Sequence, residues 1–183
     1  MKGIKKSLRV PKVAKYKVVF VRHGESEFNK LNRFTGWQDV RLTELGINQA
    51  QQAGRILKQH GYTFDIAFTS KLKRAIWTYH TIADELDIHW APHIKDWRLN
   101  EKHYGALQGL DKDQTTKHHS EENVELWRSS FDIGPPALSF NDYRHPMHET
   151  KYQDMPRDAL PKNESMKDCV DRIVPFWYNT IAR

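Results

Sequence analysis

Cysteine is nearly absent: Cys169 is the only one in 183 residues. An internal disulfide is thereby excluded, and its place inside a helical pattern reads as a small core residue in a reducing compartment. No apolar run approaches the roughly 20 residues a membrane helix needs, so no membrane partner is expected. Internal repeats and a glycine-rich phosphate loop are missing. The ten histidines include one adjacent pair, His118-His119, without the ligand spacing of a zinc site, so no metal is implied.

Acidic residues are missing from one stretch only. Residues 1–15 hold Lys2, Lys5, Lys6, Arg9, Lys12 and Lys15 and no acid; without those six the 29 basic residues become 23, matched by 23 acids. The net charge of +6 therefore resides in a tail on a neutral body. Such a tail reads as a flexible, solvated extension, and nucleic-acid binding is not expected of it. An organelle address is the secondary reading of residues 1–15 and a cytoplasmic protein the primary one, because no uninterrupted apolar core follows the lysines. The remainder, 16–183, has the length of a single domain and the composition of a soluble globular chain, 38% hydrophobic and 28% charged.

Local patterns predict alternating strands and helices. The β-branched run Val18 to Val21 reads as a buried strand. Thr43 caps a helix whose Ile47, Ala50, Gly54 and Leu57 form an inward stripe and which Gly61 closes. Phe64 to Thr69 reads as a second strand, Ser70 as the cap of a helix running to about Leu86, and Ile94 to Leu99 as a third strand. Helices follow at about Lys112–His118 and Glu122–Phe131, the second sending Val124, Trp127 and Phe131 inward. Residues 132–163 have no period and hold five of the eight prolines, as a cover over a binding site would. Glu164-Ser165 opens a last helix with Met166, Val170, Ile173 and Trp177 inward and a kink expected at Pro175.

Chemistry concentrates where strands end. Arg22-His23-Gly24 follows the first strand and supplies a guanidinium fork, a nucleophilic imidazole and a residue that lets backbone pass close to the ring. Arg74 stands in a helix first turn, an unfavourable place for a cation unless an anion binds there. Glu101 follows the third strand. Three such groups on one rim suit phosphoryl transfer: His23 attacks phosphorus, Arg22 and Arg74 neutralise the oxygens, and Glu101, its pKa raised by burial, supplies the proton. Asn29, Asn32, Thr35 and Gly36 offer donors to an anion, although ordinary turn formation explains Asn32 and Gly36 equally well.

Arg22-His23-Gly24 resembles the defining motif of the histidine phosphatase superfamily. Arg33-Phe34-Thr35-Gly36-Trp37, Thr69-Ser70 with Lys73-Arg74-Ala75, and Leu99-Asn100-Glu101-Lys102-His103-Tyr104-Gly105 resemble its cofactor-dependent phosphoglycerate mutase branch, in one register from about Lys17 to Arg183. The resemblance implies a three-layer α/β/α fold with a mostly parallel central sheet. It also implies interconversion of 3- and 2-phosphoglycerate, with 2,3-bisphosphoglycerate as the cofactor that phosphorylates His23. Glu101 would be the acid/base, and Ser26, Asn29, Thr35, Gly36, Tyr104, Lys112 and Arg128 would hold the anionic groups of a three-carbon acid, in a homodimer or homotetramer. A phosphatase of the same superfamily, or a binding protein without turnover, are the alternatives.

Two departures qualify this. The family usually has two consecutive arginines where this chain has Arg128-Ser129, and a lost charge-assisted hydrogen bond costs on the order of 1.5–3 kcal/mol. The family also continues into a further strand bearing a second histidine, beyond the position of Arg183. Part of a longer protein, a strand borrowed from a partner chain, or a non-catalytic relic would each account for this, and the first is expected.

Overall fold

The computed structural model describes residues 16–183, and the basic extension expected at 1–15 lies outside the described residues. The architecture is mixed α/β. Two short strands, β1 (Ala67–Thr69) and β2 (His93–Lys95), pair in parallel with Phe68 opposite Ile94. Helix α3 (Lys73–Leu86) connects them as a crossover. Its Tyr79 stacks on His93 at 4.0 Å, so α3 covers the sheet face that carries His93. Phe68 points the other way, edge-on to Phe176 at 6.2 Å, and Phe176 belongs to α6 (Met166–Phe176). Helices thus lie on both faces of the pair, as the three-layer expectation requires.

Helix α1 (Glu27–Lys30) is a single turn; α2 (Glu44–Gln59) begins at its Thr43 cap, and Gly61 follows at φ +67°. The predicted stripe of α2 is only partly inward: Ile47 is exposed, and the buried positions are Gly46, Ala50 and Gly54. Gly54 is small because α2 lies tightly on α3 there. A methyl added at Gly54 would come within 2.8 Å of Glu85 Cβ and 3.3 Å of the Ile82 Cα.

Several expectations need correcting. Val18 to Val21 forms no strand. Propensity alone makes no strand: it needs a neighbour to exchange backbone hydrogen bonds, and among the described residues no segment pairs with this run as a strand. Val18, Phe20 and Val21 are exposed, Phe20 at 82%, with its ring against Trp177. Ser70 does not cap α3, which starts three residues later after Leu72. Its hydroxyl instead accepts from the Leu72 N–H, closing a local turn. The third predicted strand shortens to β2 because Asp96 accepts from the Arg98 N–H and tightens Trp97–Leu99 into a 3₁₀ turn. Helix α4 (Lys112–His119) matches its prediction, whereas α5 ends early (Glu121–Ser129) and leaves Phe131 exposed.

In α6, Met166 and Val170 are exposed while Cys169 and Phe176 are buried. A polar pair sets this orientation: Arg172, on the same side as Cys169, makes a buried ion pair with Glu164 at 2.6 Å. After Pro175, which offers no amide proton, the helix widens into a π turn (Trp177–Ile181). Residues 132–163 are ordered by three 3₁₀ turns and a cluster in which Tyr152, Met155 and Leu160 enclose Trp37.

Candidate active site

The site is assembled from the Arg22–Gly24 turn, the first turns of α3 and the Asn100–Tyr104 segment. The turn can approach α2 only because glycines face each other. A Cβ at Gly24 would sit 2.1 Å from the Gly46 carbonyl oxygen, and one at Gly46 would meet the Glu25 carbonyl at the same distance. Closeness, rather than a left-handed backbone, is what Gly24 provides; it is not among the positive-φ glycines. Thr78, one turn after Arg74, holds the Arg22–Gly24 turn in place: its hydroxyl accepts from the Gly24 N–H at 3.1 Å and donates to the Arg74 carbonyl at 2.7 Å.

Two hydrogen bonds decide the state of the His23 ring. Nδ1 lies 2.7 Å from the Gly24 carbonyl oxygen, which can only accept, so Nδ1 carries the proton. Nε2 accepts from Arg74 Nε at 3.2 Å and so presents its lone pair toward the cationic side of the site. Burial, and then the charges of Arg74 and Arg22, hold the imidazole down at about 4, against the opposing bond to Gly24. His23 is therefore neutral throughout the physiological range.

Arg74 is 1% exposed and makes four hydrogen bonds, one of them from Nε to His23. Nη1 donates to the Gln38 carbonyl at 3.0 Å, and Nη2 donates to the Gly36 carbonyl and to Glu101 Oε2, both at 2.8 Å. Gly36 can present its carbonyl this way at φ +55° with Gln108 against it; a side chain there would strike Gln108 Oε1. Glu101 lies recessed among protein atoms but opens toward the cleft, its side chain 38% exposed. Burial raises its carboxyl above the ordinary glutamate range, and Arg74, Lys112 and Arg22 pull the other way. Its backbone is pinned at the carbonyl, which accepts from Trp37 Nε1 at 2.8 Å and from Arg172 Nη2 at 3.1 Å.

The remaining candidates are placed unevenly. Arg22 is exposed, close enough for its charge to act on both His23 and Glu101. Ser26 and Asn29 form a reciprocal capping box on α1, and Ser26 has no exposed surface. Thr35 is buried. Tyr104 is half-buried, its hydroxyl pushed up to about 12 mainly by burial. Lys112 stands near the Phe34 ring, its charge felt by Glu101, while Arg128 is half-exposed with Glu125 4.0 Å away. Lys102, not singled out from the sequence, is buried and donates to the Trp127 and Arg128 carbonyls at the end of α5. Trp37, Thr78 and Arg172 were also not singled out; only Thr78 had a signal, its i+4 spacing from Arg74. Among the described residues no three His, Cys, Asp or Glu side chains come together as metal ligands.

A neutral imidazole thus lies beside a buried guanidinium and a recessed carboxyl. The family model for the histidine phosphatase superfamily (branch 1) matches residues 18–149. The chain belongs to that superfamily. Solved structures share its fold. A mycobacterial glucosyl-3-phosphoglycerate phosphatase superposes with a TM-score of 0.64 at 24% identity, over 87% of this chain and 61% of that one. Bacillus stearothermophilus YhfR gives 0.62 at 23% identity, over 88% and 65%, and a structure titled mycobacterial hydrolase 1 gives 0.63 at 24%, over 87% and 62%. The chain thus spans about three fifths of the length of the structures it matches.

Proposed function

We propose that this site transfers a phosphoryl group from a small phosphorylated acid to His23 and then to water. The observation that carries the reading is the His23 ring itself, protonated at Nδ1 by its bond to Gly24 and bare at Nε2 beside Arg74. Nε2 attacks phosphorus, the phosphorus–oxygen bond to the leaving group breaks, and the leaving oxygen takes the Glu101 proton. An incoming phosphoryl oxygen displaces Nε2 as acceptor for Arg74 Nε, freeing the lone pair as charge builds on the oxygens. Water then attacks the phosphohistidine, its proton returns to Glu101, and phosphate leaves the neutral imidazole. The structural neighbours that carry phosphatase names support water as the final acceptor.

A second reading is a phosphoglycerate mutase, in which the group passes to a monophosphoglycerate. The cations around Glu101 favour it. Among the described residues Arg22 has no carboxylate partner within ion-pair distance, and Lys112 and Arg128 stand nearby as donors for a second anionic end. This donor set fits 2,3-bisphosphoglycerate, which Arg22, Lys112, Tyr104 and Arg128 would hold; bound, it supplies the phosphoryl group for His23. A homodimer or homotetramer, and a non-catalytic binder of phosphorylated acids, remain proposals beside these.

Brief exposure to 2,3-bisphosphoglycerate, followed by intact-mass measurement under conditions that spare phosphohistidine, separates the readings. A phosphoryl adduct absent from His23→Ala supports the site. Its loss to water supports the phosphatase, and its loss only on adding 3-phosphoglycerate supports the mutase. No adduct, with the phosphoester left intact, refutes both.

A further inference from the structure

Arg74 and Glu101 are paired at 2.8 Å, and the backbone beside each is tied, through Asp39 and through Asn100, to two adjacent residues of the 132–163 segment, Lys151 and Tyr152. On the Arg74 side, Asp39 Oδ1 accepts from the Lys73 backbone N–H at 2.6 Å. Asp39 thereby caps α3 from a distant loop, in place of Leu72, whose side chain cannot. Its other oxygen pairs with Lys151 Nζ at 2.7 Å, and Glu149 braces Lys151 at 2.8 Å. Lys73 precedes Arg74, and Asp39 follows Gln38, whose carbonyl accepts from the Arg74 guanidinium. The backbones on both sides of that guanidinium are therefore fastened to Lys151.

On the Glu101 side, the buried Tyr152 hydroxyl accepts from Asn100 Nδ2 at 2.9 Å. Asn100 precedes Glu101, and its Oδ1 accepts from the Lys71 N–H at 3.0 Å. Lys71 Nζ donates to the Lys151 carbonyl at 2.8 Å, which closes the loop of bonds. Apart from the Gln38 carbonyl, which accepts from the Arg74 guanidinium, none of these ties touches the side chain of His23, Arg74 or Glu101. They set where the backbones carrying two of those groups lie.

We propose that Lys151 and Tyr152 are positioning residues, which act through Asp39 and Asn100 to hold Arg74 and Glu101 in register for phosphoryl transfer. The proposal rests on the reading of His23, Arg74 and Glu101 as a phosphoryl-transfer site. Its physical basis is that a largely buried polar network is satisfied as a whole, so cutting one end lets the rest relax. Small displacements of a donor from the phosphoryl oxygens are costly to binding. The plainer role, anchoring a long loop, would affect stability without reaching the His23 ring.

Orthovanadate binding to the full chain by calorimetry, together with the imidazole NMR signals of His23, tests it. Lys151→Met and Tyr152→Phe are each expected to weaken orthovanadate binding about three- to tenfold and to shift the His23 signals. Lys167→Met, which breaks an exposed ion pair on α6, should do neither. Asp39→Asn keeps an acceptor for the Lys73 amide but loses the charge that holds Lys151; it should behave as Lys151→Met does and serves in its place if that variant does not fold. Wild-type affinity and unmoved His23 signals in these variants overturn the proposal, whatever happens to the melting temperature. A wild-type chain that ignores orthovanadate instead refutes the phosphoryl-transfer reading. The ties are then judged on the NMR signals, and unmoved signals overturn them there too.

Discussion

Replacing Arg74 with methionine tests the centre of the site, because the guanidinium makes four hydrogen bonds and is almost fully buried. Methionine is close in length and apolar, so packing is largely retained while four bonds vanish: those to His23, Gly36, Gln38 and Glu101. The Gly36 and Gln38 carbonyls lose a charged donor, and Glu101 loses its buried partner. Breaking such a pair from one side costs about 3–5 kcal/mol. Glu101 opens to the cleft and recovers some hydration, which places the expected loss at the lower end, about 3 kcal/mol. For a chain of this size that lowers the melting temperature by about 6–12 °C. The neighbouring cation is also one of the influences that hold His23 at about 4. Its removal should raise the imidazole titration midpoint, though not to its ordinary value, because burial is the larger influence and stays. Calorimetry and an NMR titration of His23 read the two effects. A variant that melts like wild type, with an unshifted His23, would show that Arg74 neither carries the site nor tunes its nucleophile.

Three further predictions follow from local geometry. Gly24→Ala drives a methyl into the Gly46 carbonyl, so it should cost about 1–3 kcal/mol by overpacking and abolish orthovanadate binding, since the His23 turn must move away from α2; denaturant unfolding and calorimetry report both. Lys102→Met leaves the Trp127 and Arg128 carbonyls without their buried donor, and should lower stability by about 1–3 kcal/mol and fray the end of α5, visible as faster amide exchange there. Acid should weaken the fold between about pH 6.5 and pH 3–4. His23 and His93 are held at about 4 and His103 at about 3, so in that window the unfolded chain binds protons the folded one refuses, and stability falls as pH drops. His80 and His145, also lowered by burial, act in the same sense, while Glu101, raised by burial, works in the opposite one, one group against five; melting temperatures that rise on going from pH 7 to pH 5 would contradict this.

How much of this was legible depends on the range over which each feature is determined. Thr43 and Gly61 mark the ends of α2 because capping is settled within a turn, and Ser165 with Asp168 makes a capping box for the same reason. The orientation of α6 was misread because the pattern of Met166, Val170 and Ile173 competes with one buried ion pair, Arg172 with Glu164, and the ion pair wins. The start of α3 was misread because its cap, Asp39, lies 34 residues from the amide it receives, outside any local window. Val18 to Val21 has the composition of a strand, but pairing depends on a neighbour that composition does not specify. Trp37 and Arg172 support Glu101 through its backbone carbonyl, and a bond to a backbone atom leaves no mark on the type of residue at the receiving end.

The chemical groups escape this limitation because each is an unfavourable choice for stability. A glycine pressed against another glycine, a cation buried at the positive end of a helix, and a carboxyl raised by its surroundings all cost free energy where they stand. Under the proposed reading they are consistent, since a phosphoryl group would lie against the guanidinium and take the lone pair of the imidazole while its leaving oxygen takes the carboxyl proton. The fold compensates locally with carbonyls: Gly36 and Gln38 hold Arg74, Gly24 holds His23, and two donors hold the Glu101 carbonyl. Backbone partners tolerate any side chain that leaves the turn intact. The candidate site residues can therefore be read from their types, while their partners emerge only once the chain is folded.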